Sequence, residues 1–433
     1  MVCNQWSGGL PQAGLPTLPF RTRTPGAGPM PETGLEPVLD APPVADDLSP
    51  VGILDRTRQL LPLVDNLKAE GERQRRAPAA LIDAIKQAGL FRLLQPRRYG
   101  GAECHPATFF AVQAALSAGD MSVGWLQGVM GMVAFHLALL PAEAQDDVWR
   151  DDPTALLASS YMPAGKATRV PGGFRLTGRW GFSSGADHAD WFMLGAMAVL
   201  EGEGPEHVIF LVPRADVRIH DTWDTIGLRG TGSHDVSVED GFVPAHRRHG
   251  VQERFLIGGP GRAVNLAPLY HIPLPQMLFR AISTPALGGL RGMLDAFIEH
   301  SRRRAGPNGG GPLVDPVAQL ACGETAAELD EMTHTLEGNF DRMLDHARQG
   351  RDAPIPDRML YRVQATSVVE RCDRLARRLF KAAGASALSV ANPLGRVCAD
   401  IQAARQHAAN QYEIYGRTLG AHLFQLDVKD TLL

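Results

Sequence analysis

The chain has 433 residues, 44% of them hydrophobic and 21% charged, with a formal net charge of -4. A chain of that length buries a large core and folds as more than one domain, with the composition of an ordinary globular protein. The acidic balance excludes the basic excess of a nucleic-acid binder, and the densest basic run, Ser301-Arg302-Arg303-Arg304, is short enough to be a solvated helix end.

The five cysteines, Cys3, Cys104, Cys322, Cys372 and Cys398, show neither CxxC nor Cys/His metal spacing, so separate thiols in a reducing compartment and no metal site are expected. No apolar run reaches the roughly 18 residues of a membrane span. The N-terminus lacks the basic and apolar regions of a signal peptide. The expectation is a cytoplasmic enzyme.

Residues 1–47 are rich in Pro and Gly without a hydrophobic period, which predicts a disordered tail. From Leu48 the spacing turns helical. Val51, Leu54, Leu60, Leu61, Val64 and Leu67 mark a first helix, and Ala79, Leu81, Ile82 and Ile85 a second that stops at Gly89. After a turn at Tyr99-Gly100-Gly101, helices are expected over Pro106–Ala118 and Met121–Leu140, with a short one after Pro141. The Met121–Leu140 segment is apolar nearly all round, the pattern of a helix at the centre of a bundle. Residues 48–152 thus read as an N-terminal helical domain.

After Asp152 the pattern changes to short runs separated by Gly and Pro turns: Leu156–Tyr161, Gly173–Phe182, Trp191–Leu200, His207–Pro213, Val217–Thr222 and His234–Val243. Residues 153–255 read as a central β-barrel or sandwich domain. Within it, Arg179–Trp191 (RWGFSSGADHADW) places two hydroxyls, a glycine, a histidine and two carboxylates between strand signals. That is more polar groups than a core strand can satisfy. From residue 256 the chain is helical again, with helices expected over Pro273–Arg304, Pro316–Gln349, Pro356–Ala383 and Pro393–Leu423, each beginning near a proline. They form a C-terminal four-helix bundle over residues 256–433. The Gly306–Pro312 break is a candidate lid or a linker. The fold class is α+β.

Helices, a β-domain, then a helical bundle is the order of the acyl-CoA dehydrogenase superfamily, and four segments carry the resemblance. LFRLLQPRRYGGAE (residues 90–103) looks like the segment joining that family's second and third helices. SSYMPAGKATRVPGGFRLTGRWGFSSG (159–185) resembles its flavin-contacting strands. TIGLRGTGSHDVSVEDGFVP (225–244) resembles its closing strand pair, and PLGRVCADIQAARQH (393–407) its last active-site helix. GFSSGADHADW and LRGTGSHDV are similar to the reduced-flavin-dependent, two-component monooxygenase branch. That branch includes the oxygenase components of 4-hydroxyphenylacetate and secosteroid hydroxylases and the polyketide hydroxylases. Aligning Asp400 on the family's Arg-Asp puts Ala408 where many dehydrogenases carry their catalytic glutamate. Alanine cannot remove an α-proton, and Glu413, five residues on, lies off that helical face.

The resemblance implies an oxygenase component that takes reduced FMN or FAD from a separate flavin reductase, reacts it with O2 to a C4a-hydroperoxyflavin, and hydroxylates an aromatic or polyketide-like molecule. It also implies a homotetramer. Ser183 falls where a hydroxyl faces flavin N5, with Ser184 beside it; the alternative is that both satisfy strand-end backbone groups. Ser159, Ser160 and Tyr161 fall on the strand that meets the flavin pyrimidine edge. Trp180 and Phe182 either wall the ring or pack the core. His188 is read as structural, fixed by Asp187 or Asp190. His407 is the catalytic candidate on the last helix, where an imidazole titrating near neutrality stabilises the hydroperoxide or deprotonates a phenol. Val133 stands where related phenol hydroxylases carry a substrate-contacting histidine, and His136 follows nearly one turn later as its possible replacement. His271 corresponds to a flavin-contacting arginine, and Arg229 and Ser233 are candidates for flavin-tail or loop contacts. No Gly-x-Gly-x-x-Gly fingerprint joins a strand to a helix, so no NAD(P)H site is expected.

Three readings remain at this stage: the oxygenase, with N-oxygenation of an amine or amino sugar as its variant; an acyl-CoA dehydrogenase; and a non-catalytic binding module. The last is disfavoured because Ser183, Ser184 and His407 are all present.

Overall fold

The computed structural model describes residues 47–199, 204–251, 259–305 and 310–428. The expected tail, up to residue 46, and residues 306–309 of the glycine loop lie outside the described residues. Helix α1 (Pro50–Gln74) starts where the Ser49 hydroxyl accepts from the Gly52 amide at 3.1 Å, and ends on the left-handed Arg75. It is followed by α2 (Ala79–Gln87), α3 (Pro106–Gly119), α4 (Met121–Leu137) and α5 (Ala142–Trp149).

Asp120 ends α3 and begins α4, its Oδ1 accepting from the Ser122 amide at 2.7 Å. Every residue of α4 is buried. Its glycines let α3 approach closely: a Cβ at Gly124 would lie 1.9 Å from Ser117 Oγ, and one at Gly128 1.7 Å from Gln113 Nε2. Each large apolar side chain buried on such a helix contributes about 1.5–3 kcal/mol.

The sheet comprises β1 (Leu157–Val170), β2 (Gly173–Ser183), β3 (Trp191–Val199), β4 (Pro205–Pro213), β5 (Arg218–His220), β6 (His234–Pro244) and β7 (Arg248–Gly250), in the spatial order β5-β6-β2-β1-β3-β4-β7. Among the described residues only the β1–β3 pair is parallel. β1 runs nine residues past its expected end at Tyr161. A register shift between Ser160 and Gly165 hides the continuation, because the alternation breaks there and resumes. Phe174, Trp180, Phe192 and Phe210 pack the core of this domain.

A second core joins the N-terminal helices to α6 (Leu274–Ala305), α7 (Pro316–Arg348), α8 (Ile355–Ala383), α9 (Pro393–Arg405) and α10 (Tyr412–Leu423). Thus N-terminal helices, a central sheet and C-terminal helices make an α+β protein. Among the described residues no helix is long and apolar enough to cross a membrane.

The expected helix over Pro393–Leu423 is two helices. α9 stops at Arg405, and His407 opens a short 3-10 turn, Ala408–Asn410. Asn410 Nδ2 donates to the Ala404 carbonyl at 2.8 Å and His407 Nδ1 accepts from the Ala409 amide at 3.1 Å. These side chains replace the backbone bonds a continuous helix would have made. Neither Gly nor Pro marks the break.

Candidate active site

Trp125 and His136 are eleven residues apart on α4, three helical turns, so they share a face about 16 Å long with Val129 and Met132 between them. At one end of that face, Trp125 Nε1 donates to Ser184 Oγ at 3.0 Å and the indole meets the His407 ring edge-on at 5.8 Å. At the other, His136 Nδ1 lies 2.8 Å from the Tyr161 hydroxyl and its Nε2 lies 2.8 Å from His249 Nδ1. One helix face thus spans the ends of β2 and α9 on one side and β1 and β7 on the other.

The end of β2 departs from regular pairing. Its register with β6 shifts between Trp180 and Ser183. Phe182 takes φ 60°, unusual for a bulky residue, and is 76% exposed with its ring edge-on to Trp223. Ser183 is fully buried, and its Oγ has no hydrogen-bond partner among the described residues. Ser184 is half-buried and well connected: besides Trp125, its hydroxyl lies 2.7 Å from that of Ser233, which lies 2.7 Å from Thr231 Oγ1. Trp180 packs in the core of the sheet domain, and its Nε1 donates to the Gly195 carbonyl at 2.6 Å, which supports the core reading of that ring.

The rest of the polar-rich stretch clamps the sheet to the N-terminal helices. Asp187 Oδ1 accepts from Arg76 at 3.1 Å and its Oδ2 lies 3.3 Å from His234. His188 Nε2 meets the Ala77 carbonyl at 3.1 Å. Asp190 accepts from the Leu156 amide at 2.8 Å. His188 is therefore a structural residue, held by a carbonyl rather than by Asp187 or Asp190.

Solvent reaches the His407 ring, yet so much protein surrounds it that burial pushes its pKa down to about 4. Because Nδ1 accepts from Ala409, the proton of the neutral ring sits on Nε2. A pKa lowered in this way leaves the ring neutral at physiological pH, below the near-neutral titration expected from the sequence.

His136 is fully buried with both ring nitrogens engaged, and burial followed by the neighbouring His249 holds its pKa well below the ordinary value. Val133 is likewise buried on α4, and the His136 ring is held by Tyr161 and His249. The Arg229 guanidinium is committed to Asp224 at 2.9 Å, the Thr225 carbonyl at 2.7 Å and Glu72 at 3.6 Å, leaving it as a brace of its own loop. Ser160 Oγ donates to the Gly181 carbonyl at 2.8 Å, tying β1 to β2, while Ser159 and Tyr161 are half-buried beside it. His271 lies on a 3-10 turn whose carbonyl accepts from Arg262, and its pKa is lowered by burial and then by that arginine. Among the described residues it makes no hydrogen bond to Ser183 or His407.

The loop carrying Thr231 and Ser233 is held from α9. The Leu228 amide donates to Asp400 Oδ1 at 2.6 Å, and Leu228 itself takes φ 52°. Asp400 is buried beside Arg396, which also reaches Asp120 and Glu72 at 2.8 Å each. Burial, reinforced by the Asp120 carboxylate, pushes the Asp400 carboxyl up to about 7. Sequence reasoning did not single out Trp125, Thr231 or His249. A tryptophan on an otherwise apolar buried helix was the available signal, since a buried indole N–H needs a partner.

A family model described as acyl-CoA dehydrogenase, N-terminal domain, matches residues 57–151, and the corresponding C-terminal domain model matches residues 280–412. The oxygenase subunit HsaA of a flavin-dependent monooxygenase from Rhodococcus jostii is 36% identical over 382 residues, covering 88% of this chain and 100% of the relative. The oxygenase component of an FADH2-dependent resorcinol hydroxylase from Rhizobium is 31% identical over 400 residues, covering 90% and 98%. The crystal structure of the M. tuberculosis HsaA monooxygenase superimposes with a TM-score of 0.85 at 34% identity, covering 89% of this chain and 100% of that one. The helical frame, the polar end of β2 and these likenesses over nearly whole chains agree: the chain belongs to the oxygenase components of the two-component flavin-dependent monooxygenases, built on the acyl-CoA dehydrogenase fold.

Proposed function

We propose that α4, the ends of β1 and β2, and the α9–α10 break enclose a recess that binds reduced flavin delivered by a separate reductase, and that an aromatic substrate is hydroxylated there. The observation that carries this reading is the Ser183–Ser184 pair. A fully buried hydroxyl without a partner is rare in a folded protein and marks a place made for one, and Ser183 supplies it next to the half-buried Ser184. Relatives with aromatic substrates in their names, such as the Rhizobium resorcinol hydroxylase and the Acinetobacter p-hydroxyphenylacetate 3-hydroxylase, support the substrate class.

Reduced flavin, when bound, supplies the two electrons that activate O2. The chain's own groups do the rest. Ser183 and Ser184 hold the ring edge, Phe182 and Trp125 border it, and Ser159 and Tyr161 line the β1 side. The His407 Nε2–H donates to a substrate oxygen and orients the ring to be hydroxylated. Ala408 leaves no carboxylate at that turn, so the reading does not include acyl-CoA dehydrogenation.

The test is to load the protein anaerobically with photoreduced FMN or FAD, add phenol, resorcinol or indole, and admit oxygenated buffer. The reading requires a product one oxygen atom heavier than its substrate. Failure to bind reduced flavin, or reduction of bound oxidised flavin by an acyl-CoA, would overturn it.

A further inference from the structure

Four side chains from three separate segments form a hydrogen-bonded row whose proton order is fixed at both ends. Trp125 Nε1 can only donate, and it donates to Ser184 Oγ at 3.0 Å. At the far end the Leu228 carbonyl can only accept, and it takes the Thr231 hydroxyl proton at 2.8 Å. Each hydroxyl has a single proton. With its own spent on Leu228, Thr231 must accept from Ser233 at 2.7 Å. Ser233 must then accept from Ser184, also at 2.7 Å. The order therefore runs Trp125, Ser184, Ser233, Thr231, Leu228, and every proton points away from α4. Reversal would leave Thr231 Oγ1 against the Leu228 oxygen with no proton between them.

Ser184 is thus left with one free lone pair and no proton to give, and it is the half-buried member of the row. Ser184, and not the fully buried Ser183 that the motif sets against N5, is the hydroxyl open to a ring edge, so a ligand group facing it must be a donor. The isoalloxazine N5 carries a proton when the ring is reduced and a bare lone pair when it is oxidised. We propose that Ser233 and Thr231 are specificity-determining residues that, by fixing the proton of Ser184, make the site accept reduced flavin and reject oxidised flavin. The inference rests on the reading of this recess as the flavin site. Thr231 and Ser233 act through Ser184 as positioning residues, and the left-handed Leu228, anchored to Asp400, aims the carbonyl that sets the order.

The experiment measures dissociation constants for oxidised and photoreduced FMN under anaerobic conditions, by fluorescence and equilibrium dialysis, together with the midpoint potential of the bound flavin. In Thr231→Val the Ser233 proton is free to turn toward Ser184, whose own proton then becomes available to a bare N5. The ratio of oxidised to reduced dissociation constants should fall about five- to tenfold, the worth of one hydrogen bond. The tenfold limit corresponds to about 30 mV for a two-electron couple. Ser233→Ala removes the acceptor for the Ser184 proton and should give the same fall, covering the case in which the Thr231 variant does not fold. Thr231→Ser keeps the order and should keep the ratio. Trp125→Phe removes a donor but not the order, so it should weaken both forms alike. An unchanged ratio in folded Thr231→Val or Ser233→Ala overturns the inference while leaving the flavin reading intact. Binding of neither form by the wild-type protein overturns both.

Discussion

Gly227→Ala is the sharpest test of how the loop before β6 is held. A Cβ built on Gly227 would lie 2.2 Å from the Ala399 carbonyl oxygen and 2.8 Å from the Asp400 amide nitrogen, both backbone atoms of α9. A helix backbone cannot step aside as the tip of a side chain can, so the loop has to retreat by about 1 Å. The Leu228 N–H to Asp400 bond, now 2.6 Å, would then pass beyond hydrogen-bond range. Losing a bond to an ionisable acceptor costs about 1.5–3 kcal/mol, and the overpacking itself about 1–3 kcal/mol. The expected loss is about 2.5–6 kcal/mol, with faster amide exchange across residues 225–233 and a weaker preference for reduced flavin. Urea unfolding followed by circular dichroism, with amide exchange on the same variant, reads both. A loss below about 1 kcal/mol with unchanged exchange would refute the idea that α9 holds this loop.

Acid should destabilise the protein through its depressed histidines. His136 and His407 titrate below their ordinary value when folded, so below about pH 6.5 the unfolded chain binds more protons than the native one. Stability therefore falls as pH drops through that region, and His136→Asn should flatten the slope in urea titrations between pH 7.5 and 5. Trp180→Phe should cost about 1–3 kcal/mol, because it leaves the buried Gly195 carbonyl without its donor. It should not change flavin affinity, and a drop there would return Trp180 to the ring wall. His407→Ala should leave reduced-flavin affinity within about twofold but lower the hydroxylated product formed per flavin oxidised, since the donor that orients the substrate is gone. Equal losses in binding and product yield would mean that His407 holds the flavin instead.

The order of helices, sheet and helices was legible because helical spacing and strand alternation are local. The apolar run of α4 declared a central helix, while the polar crowding at Arg179–Trp191 is largely met by contacts of Asp187, His188 and Asp190 with the elements around it. What stayed hidden was set by distance in the chain. Nothing near Ser184 announces that Trp125, Ser233 and Thr231 converge on it. The lowering of the His407 pKa was equally hidden, because the protein around the ring comes from segments that the motif does not contain. The break after Arg405 escaped notice because capping by His407 and Asn410 needs no proline or glycine. His136 was placed on the correct helix, but its partners lie on β1 and β7, so its sealing was invisible.

The packing of α3 on α4 also bears on how such a protein can change over generations. With every α4 position buried, and Gly124 and Gly128 pressed onto Ser117 and Gln113, this helix has almost no neutral substitutions available. Variation that retunes substrate scope has to accumulate elsewhere, on the exposed Phe182 and on the loops that close over α4. A mutational library confined to those segments should retain folded members far more often than one spread along the helix.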